Sequence, residues 1–550
     1  MTWLLLLEGL GVLIAVIAAL IAPRMADGLF TRVEQFGARL ARRKRLAVFL
    51  IALATLLIRI SLLPILPAPV PEVHDEFSYL LAGDTFAHGR LTNPPHPMWV
   101  YFETIHVNMF PTYMSKYPPA QGAILALGQL LGNPWIGVLL SAAVMCAAIL
   151  WMLQGWLPPQ WALLGGVLAL LRLAIFSYWV NSYWGGAVPA VGGAMVVGAL
   201  PRIWKFRRPR DAVTLALGAA ILANSRPFEG LIFCIPVFAA ILIWLCLRRS
   251  PPWRQSAVRI ILPILGVLAL TIIFMGYYNW RGTGHALLFP YAVNNRAYLS
   301  APELVWQKAG APLHYRNPQF DAFYNHWARA TAEQGAATSF VRAIGVFVSD
   351  ASKYVGFFLW PELCIPLFAL PWLLTDSRTR FLAAQFSFCF LGFLLVLWFH
   401  PHYAAALTAT GFALLTQGMR HIRRWRCGDG MAGIGLTRVV VLSAVILAPI
   451  HFTDVNLHPE LKNRARLAAQ LDAMPGGHLA IVRYSEQHNI AAEWVYNDAD
   501  IDHAKVVWAR EIPGVSLDPL LNYYRGRDVW LVEADSPNPQ LEPYKSESGP

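Results

Sequence analysis

His74-Asp75-Glu76 opens a long connection between two apolar runs, and adjacent carboxylates at such a place suit a general base. A plainer role for Asp75 is the cap of a helix, where it would satisfy free N–H groups and favour the helix dipole. Asp84 follows nine residues after Asp75, which on a helix turns it to the opposite side, so it is no partner for a paired acid and base. One base without a positioned acid fits a reaction whose leaving group is already a good anion. A phosphate is such a group, and it needs cations more than a proton donor.

Several residues are placed to supply them. Lys116 and Tyr117 lie in Met114-Ser115-Lys116-Tyr117-Pro118-Pro119, at the returning end of the same connection. Arg226 lies in Asn224-Ser225-Arg226-Pro227-Phe228-Glu229-Gly230, where another apolar run breaks, and His400 and His402 flank Pro401 just before Tyr403. Each has a plainer alternative: Lys116 snorkelling to headgroups, Arg226 paired with Glu229, the histidines packed as structure. The His-x-His spacing has no third ligand at a telling distance, so no metal is expected there. Asp75 and Glu76 alone would make a sparse site for a divalent cation, and no cofactor is expected.

The elements that carry these residues are membrane elements. Of 550 residues, 56% are hydrophobic and only 14% are Asp, Glu, Lys or Arg, well below the charged share of a soluble chain. Apolar runs of roughly 17–25 residues recur, each long enough to cross the hydrocarbon core. They fall at 3–22, 46–66, 134–153, 161–180, 187–204, 211–224, 229–247, 257–279, 352–374, 380–399, 403–420 and 434–451, about twelve in all. The net charge of +12 sits in short segments between the runs, which speaks for membrane topology and against a nucleic-acid partner. The first 22 residues lack a basic leader, and Arg24 follows the apolar run, which favours a retained helix over a signal peptide. The six cysteines form no CxxC pair, and Cys427 stands in a basic connection; no disulfide framework is expected.

Placing 23–45 inside also puts 205–211, 248–256, 375–379 and 421–433 inside, with most of the basic residues, among them Arg248 and Arg249. The connections 67–118 and 280–350 and everything from 452 then face the periplasm, together with Asp75, Lys116, Arg226 and the two histidines. Segment 67–118 carries five carboxylates (Glu72, Asp75, Glu76, Asp84, Glu103) against two fixed cations, Arg90 and Lys116. A short amphipathic surface helix fits 76–87, and a second fits 119–131, opened by Pro118-Pro119 and closed near Gly132. Arg172 lies inside an apolar run, a position that hints at function by default, and Tyr183-Trp184-Gly185-Gly186 reads as an aromatic outer turn. The tail changes character: 478–485, 505–511 and 528–535 read as strands of a soluble α/β module with its own core.

The order and sidedness of these motifs resemble the GT-C superfamily of membrane glycosyltransferases, in its protein O-mannosyltransferase and lipid A aminoarabinose transferase branch. The likeness rests on the acidic Asp75-Glu76 early in the first large loop and on Lys116-Tyr117-Pro118-Pro119 returning to the membrane. It also includes the Ser-Arg-Pro-x-x-Gly turn at 225–230 and the His400/His402–Tyr403 turn, and it spans roughly 46–451. It implies a mainly α, polytopic fold, a polyprenyl-monophosphate sugar donor and an inverting transfer to a periplasmic acceptor hydroxyl on a glycan, lipid or protein. It further implies Asp75 as base and Lys116 as donor-phosphate contact. The expected organisation is an extra membrane helix and basic cytoplasmic loop at 1–45, a catalytic domain at 46–451 and a periplasmic α/β domain at 452–550, all in a bacterial inner membrane. The extra first helix and the tail depart from the pattern. A flippase for lipid-linked glycan would show paired halves and interrupted helices, and no repeat is visible. A ligase or polymerase using a diphosphate lipid shares the same sidedness. A scaffold would leave the acidic loop unexplained.

Overall fold

A computed structural model describes residues 2–247, 252–336, 339–377, 379–426, 431–455 and 462–545. Arg248, Arg249 and Cys427 lie outside them. The first ten helices are α1 (Thr2–Ile21), α2 (Asp27–Arg42), α3 (Lys44–Ser61), α4 (His74–Ala87), α5 (Pro119–Leu130), α6 (Pro134–Trp156), α7 (Pro159–Leu173), α8 (Ala187–Phe206), α9 (Pro209–Ala223) and α10 (Pro227–Cys246). Proline opens most of those from α5 onward, at the position where its missing N–H costs nothing. The central core is a bundle in which α6 packs on α3, α5 and α8, and α8 packs on α9.

About twelve spans were expected; among the described residues five helices are long and apolar enough to cross a membrane, or six if one bent pair counts as a span. The five are α6, α8, α10, Trp253–Thr283 and Ala432–Phe452. The difference has local causes. Phe340–Phe358 and Trp360–Thr375 are set at 113° to one another. Trp360 at that break has a φ of +47°, and Pro361 follows, which removes a helical N–H. The run 403–420 begins as a 3₁₀ turn, Pro401–Leu407, before Thr408–Ile422 becomes α-helical, and the run 380–399 stops being helical at Phe393. The basic stretch expected as a loop at 23–45 contains α2, whose Asp27 and Glu34 pair with Arg438.

α4 departs most from expectation. It is not an exposed helix with one apolar side; Glu76, Phe77, Ser78, Tyr79, Leu81, Ala82 and Thr85 are all buried. α5 covers one side of it at close range. A Cβ added to Gly122 of α5 would sit 2.6 Å from Ala82 Cβ, and one added to Gly83 would sit 2.8 Å from Leu125 Cβ, so the contact exists because both positions are glycine. The C-terminal segment covers another side. Its sheet comprises β3 (His478–Arg483), β4 (Val506–Arg510), β5 (Asp528–Glu533) and the short antiparallel edge β6 (Glu542–Pro543), in the order β4-β3-β5-β6. β3 runs parallel to both β4 and β5. The sheet does not keep its apolar residues to itself: Leu479, Ile481 and Val507 share one cluster with Leu81, Tyr101, Phe102 and Val107 of segment 67–118.

The small hairpin β1 (Val107–Asn108) and β2 (Met114–Ser115) completes the layer. Segment 280–350 closes on it, with Asn108 Nδ2 donating to Pro290 O at 2.9 Å and Asn294 Nδ2 to Val107 O at 3.2 Å. The two large connections and the tail thus form one continuous cap over the helical bundle. Arg59, fully buried near the end of α3, ties the cap down by donating to Leu66 O at 2.7 Å, Pro67 O at 3.0 Å and Asn181 Oδ1 at 3.1 Å.

Candidate active site

Glu76 fixes the start of α4. Its Oε2 accepts from the backbone N–H of Glu72 at 2.8 Å and Val73 at 3.2 Å, and its Oε1 accepts from Tyr183 N at 3.0 Å. The third residue of the helix thus caps the first turn and holds the aromatic turn 183–186 against it. Burial pushes its pKa up to about 7, while those N–H donors pull the other way. Both oxygens of Glu76 are thus engaged by backbone N–H groups. Among the described residues no three His, Cys, Asp or Glu side chains gather as a metal site.

Asp75, left free of the capping task, turns to the opposite side. Tyr117 OH donates to Asp75 Oδ1, and the Tyr117 ring stacks on Tyr79, one turn along α4, with centroids 4.4 Å apart. Asp75 Oδ2 faces His106 Nε2 at 3.9 Å, and the carboxylate keeps 27% of its exposure, so a ligand can reach it. His106 holds a φ of +69°, uncommon for a side chain with a Cβ. Its carbonyl takes hydrogen bonds from Ser78 Oγ at 2.7 Å and Lys116 N at 3.2 Å, which keep the turn in place. Burial, helped by Lys116 and His74, lowers the His106 pKa well below its ordinary value, so the ring beside Asp75 is neutral near pH 7. Burial likewise keeps the Tyr117 phenol protonated.

Lys116 leaves β2 pointing into the same space. It is 6% exposed, and its Nζ lies 4.9 Å from the Tyr291 ring centroid and 5.4 Å from that of Tyr117. Burial lowers its pKa to about 8; Glu303 and Asp75 oppose the shift, and Arg226 adds to it. Arg226 arrives by a different route. Ala120 N donates to Asn224 O at 2.9 Å, which pins the start of α5 to the α9–α10 break. The Arg226 guanidinium lies over the Tyr403 ring at 4.5 Å. Among the described residues Arg226 makes no ion pair with Glu229, although each feels the other's charge.

His400 and His402 stack on each other with centroids 5.5 Å apart. His402 Nδ1 lies 2.9 Å from Tyr178 OH, and its ring meets Trp184 edge-on at 4.8 Å. Burial lowers the pKa of both rings, that of His402 well below its ordinary value. His400 still feels Asp75 and Arg226, and it lines a cavity of about 1340 Å³ together with Glu76, Trp184, Lys353, Phe357 and Trp398.

Tyr79, His106, Tyr291 and Glu303 belong to this cluster and were not singled out from sequence; they reach it only through tertiary contacts. Arg172 stands elsewhere, its Nη2 donating to Gly356 O at 2.9 Å and its guanidinium 4.1 Å from the Trp360 ring. Asp84 is also apart from Asp75, accepting from Gln129 Nε2 at 2.6 Å and Ala499 N at 2.7 Å.

No family model and no curated protein matches the chain. Among solved structures it aligns with ArnT from Cupriavidus metallidurans, in the apo state and bound to undecaprenyl phosphate. Each has 12% identity and a TM-score of 0.47, over 88% of this chain and 91% of that one. It also aligns with the Archaeoglobus fulgidus oligosaccharyltransferase tethered to an acceptor peptide. There the identity is 11% and the TM-score 0.43, over 80% of this chain and 62% of that one.

Proposed function

We propose that this chain is a membrane glycosyltransferase that moves a sugar from a polyprenyl-monophosphate donor to an acceptor hydroxyl, with inversion. The observation that carries the reading is the meeting of one reachable carboxylate, Asp75, with two cations from separate segments, Lys116 and Arg226, next to His400, which lines a large cavity. The sequence resemblance to GT-C enzymes supports the same donor class.

The donor phosphate sits between Lys116 and Arg226, held by charge-assisted hydrogen bonds, with Tyr117, Tyr291 and Tyr403 shaping the space around it. Asp75 Oδ1 is held by Tyr117, which leaves Oδ2 for the acceptor. Oδ2 takes the hydroxyl proton as the acceptor oxygen attacks the anomeric carbon, and the bond from that carbon to the phosphate oxygen breaks. The electron pair leaves on the lipid phosphate, whose charge the two cations balance, so no acid is needed. Neutral His106 lies close enough to guide the acceptor without competing for the proton. His400 and Trp184, which line the cavity, form part of the wall on which a sugar or acceptor stacks, with His402 packed against both.

The test is sugar transfer or release from radiolabelled polyprenyl-phosphate donors by the purified, reconstituted protein, with Asp75→Asn beside it. Wild-type turnover falling by at least about 1000-fold in the variant is expected for loss of a base at the reacting atoms. Substantial activity in Asp75→Asn overturns the assignment of the base. Absence of turnover with every monophosphate donor moves the reading to a diphosphate-lipid ligase or a carrier of lipid-linked glycan.

A further inference from the structure

The helix that carries Asp75 is gripped at its first residue by the far end of the chain. Val73, directly before α4, forms an antiparallel bridge with Ala492. His74 has Nε2 2.6 Å from Ile490 O and Nδ1 3.4 Å from Glu493 Oε2. Both ring nitrogens of the residue next to Asp75 therefore face segment 490–493, and the ring is 5% exposed.

Glu493 is a rigid point to hold on to. It is buried, and Arg510 of β4 donates to its two oxygens at 3.2 and 3.3 Å. Thr104 Oγ1 at 2.7 Å, Tyr484 OH at 3.0 Å and Val495 N at 2.8 Å complete its shell. Burial opposes its charge, yet Arg510, His74 and Thr104 hold its pKa well below the usual carboxylate range. A buried ion pair of this kind is weak evidence for stability, because two charges have been taken out of water and a well-packed apolar pair would often do as well. What it supplies is a fixed direction: the carboxylate has one set of partners and one orientation.

We infer that the C-terminal module is a positioning element for the site, in which the Glu493–Arg510 pair acts through His74 to fix where the Asp75 carboxylate points. The inference rests on the reading of Asp75 as base. Asp75 follows His74 in the first turn of α4, so a shift of the His74 ring moves the Asp75 backbone with it. A misplacement of about 1 Å at a reacting group costs about 100-fold in rate. Glu493 and His74 touch neither donor nor acceptor in this scheme.

The test uses the full-length protein reconstituted in lipid, with His74→Leu and Glu493→Gln beside Asp75→Asn. The readout is the single-turnover rate constant of enzyme saturated with donor, measured together with donor affinity and melting temperature. A merely structural role lowers the amplitude, since fewer molecules are active, and leaves the rate constant alone. The expected result is a rate constant lowered about 10- to 100-fold with donor affinity within about twofold of wild type. Glu493→Gln leaves Arg510 unpaired and is the variant at risk of misfolding. His74→Leu leaves Glu493 with Arg510, Thr104, Tyr484 and Val495, so the test stands on it. A wild-type rate constant in folded His74→Leu, with Asp75→Asn inactive, overturns the inference and leaves the base in place. Activity in Asp75→Asn removes the base reading itself.

Discussion

Replacing Lys116 with methionine separates its chemical role from its structural one. Methionine keeps the unbranched stem between Tyr117 and Tyr291 and removes the ammonium. Burial lowers the pKa of Lys116 from 10.5 to about 8 in the folded protein. A shift of that size corresponds to about 3 kcal/mol by which burial disfavours the charged form. The sign follows from proton counts: between pH 8 and 10.5 the unfolded chain binds the proton and the folded chain does not, so wild-type stability gains with pH in that window. Below pH 8 the charged lysine is a full burden on the fold. Lys116→Met is therefore expected to melt higher than wild type at pH 7, by at most about 3 kcal/mol, a figure that already includes the favourable charges of Glu303 and Asp75. The advantage should shrink as pH rises towards 10.5. The same change should raise the donor KM about 10- to 100-fold, the worth of about 1.5–3 kcal/mol for a hydrogen bond to a charged group. In wild type about nine in ten Lys116 side chains are charged at pH 7 and about one in ten at pH 9, so the donor KM should climb across that range and stay flat in the variant. Thermal melts and donor titrations at pH 7, 8 and 9 measure both effects. A lower melting point with unchanged donor KM would refute the reasoning and make Lys116 a packing residue.

Two further substitutions probe what holds Asp75. Gly122→Val places a Cβ 2.6 Å from Ala82 Cβ and 2.9 Å from Phe86 Cε2, so α4 and α5 must separate. A loss of about 1–3 kcal/mol in stability is expected, with a fall in transfer rate larger than that of a surface control in the same melting and transfer assays. Glu76→Gln takes an acceptor from the backbone N–H groups of Glu72, Val73 and Tyr183, and hydrogen exchange at those amides should rise with a stability loss of about 1–3 kcal/mol. Unchanged protection there would mean that Glu76 does not cap α4.

The part of the site that lay in one loop was legible in the sequence. Asp75 and Tyr117 are 42 residues apart, on the two ends of segment 67–118, and the return of that segment to Pro118-Pro119 already implied that its ends meet. The division of labour between Asp75 and Glu76 was not legible. Either carboxylate suits a helix start, and only the direction of the preceding chain decides that the third residue caps and the second turns to Tyr117 and His106. The burial of His400 and His402, which opposes their positive charge, is a tertiary property that sequence does not show. The runs 478–485, 505–511 and 528–535 contain β3, β4 and β5, since β-branched and aromatic runs between polar turns are local signals. Where that sheet docks is a long-range matter, which is why α4 read as a surface helix: its apolar side was visible and its cover was not. Apolar runs were counted as spans for a similar reason. Hydropathy registers composition, while Trp360-Pro361 and Pro401 decide where a run stops being one straight helix.

The grip of segment 490–493 on His74 spans 416 residues of chain to Ile490. Protein synthesis proceeds from the N-terminus, so α4 is made while the segment that clasps it is still unmade. During that interval Val73 and His74 lack the partners that hold the start of α4. The start of the helix that carries Asp75 is therefore among the last parts of the fold to be fixed: its clasp exists only once the chain has been made beyond Glu493 and Arg510 has arrived to hold that carboxylate.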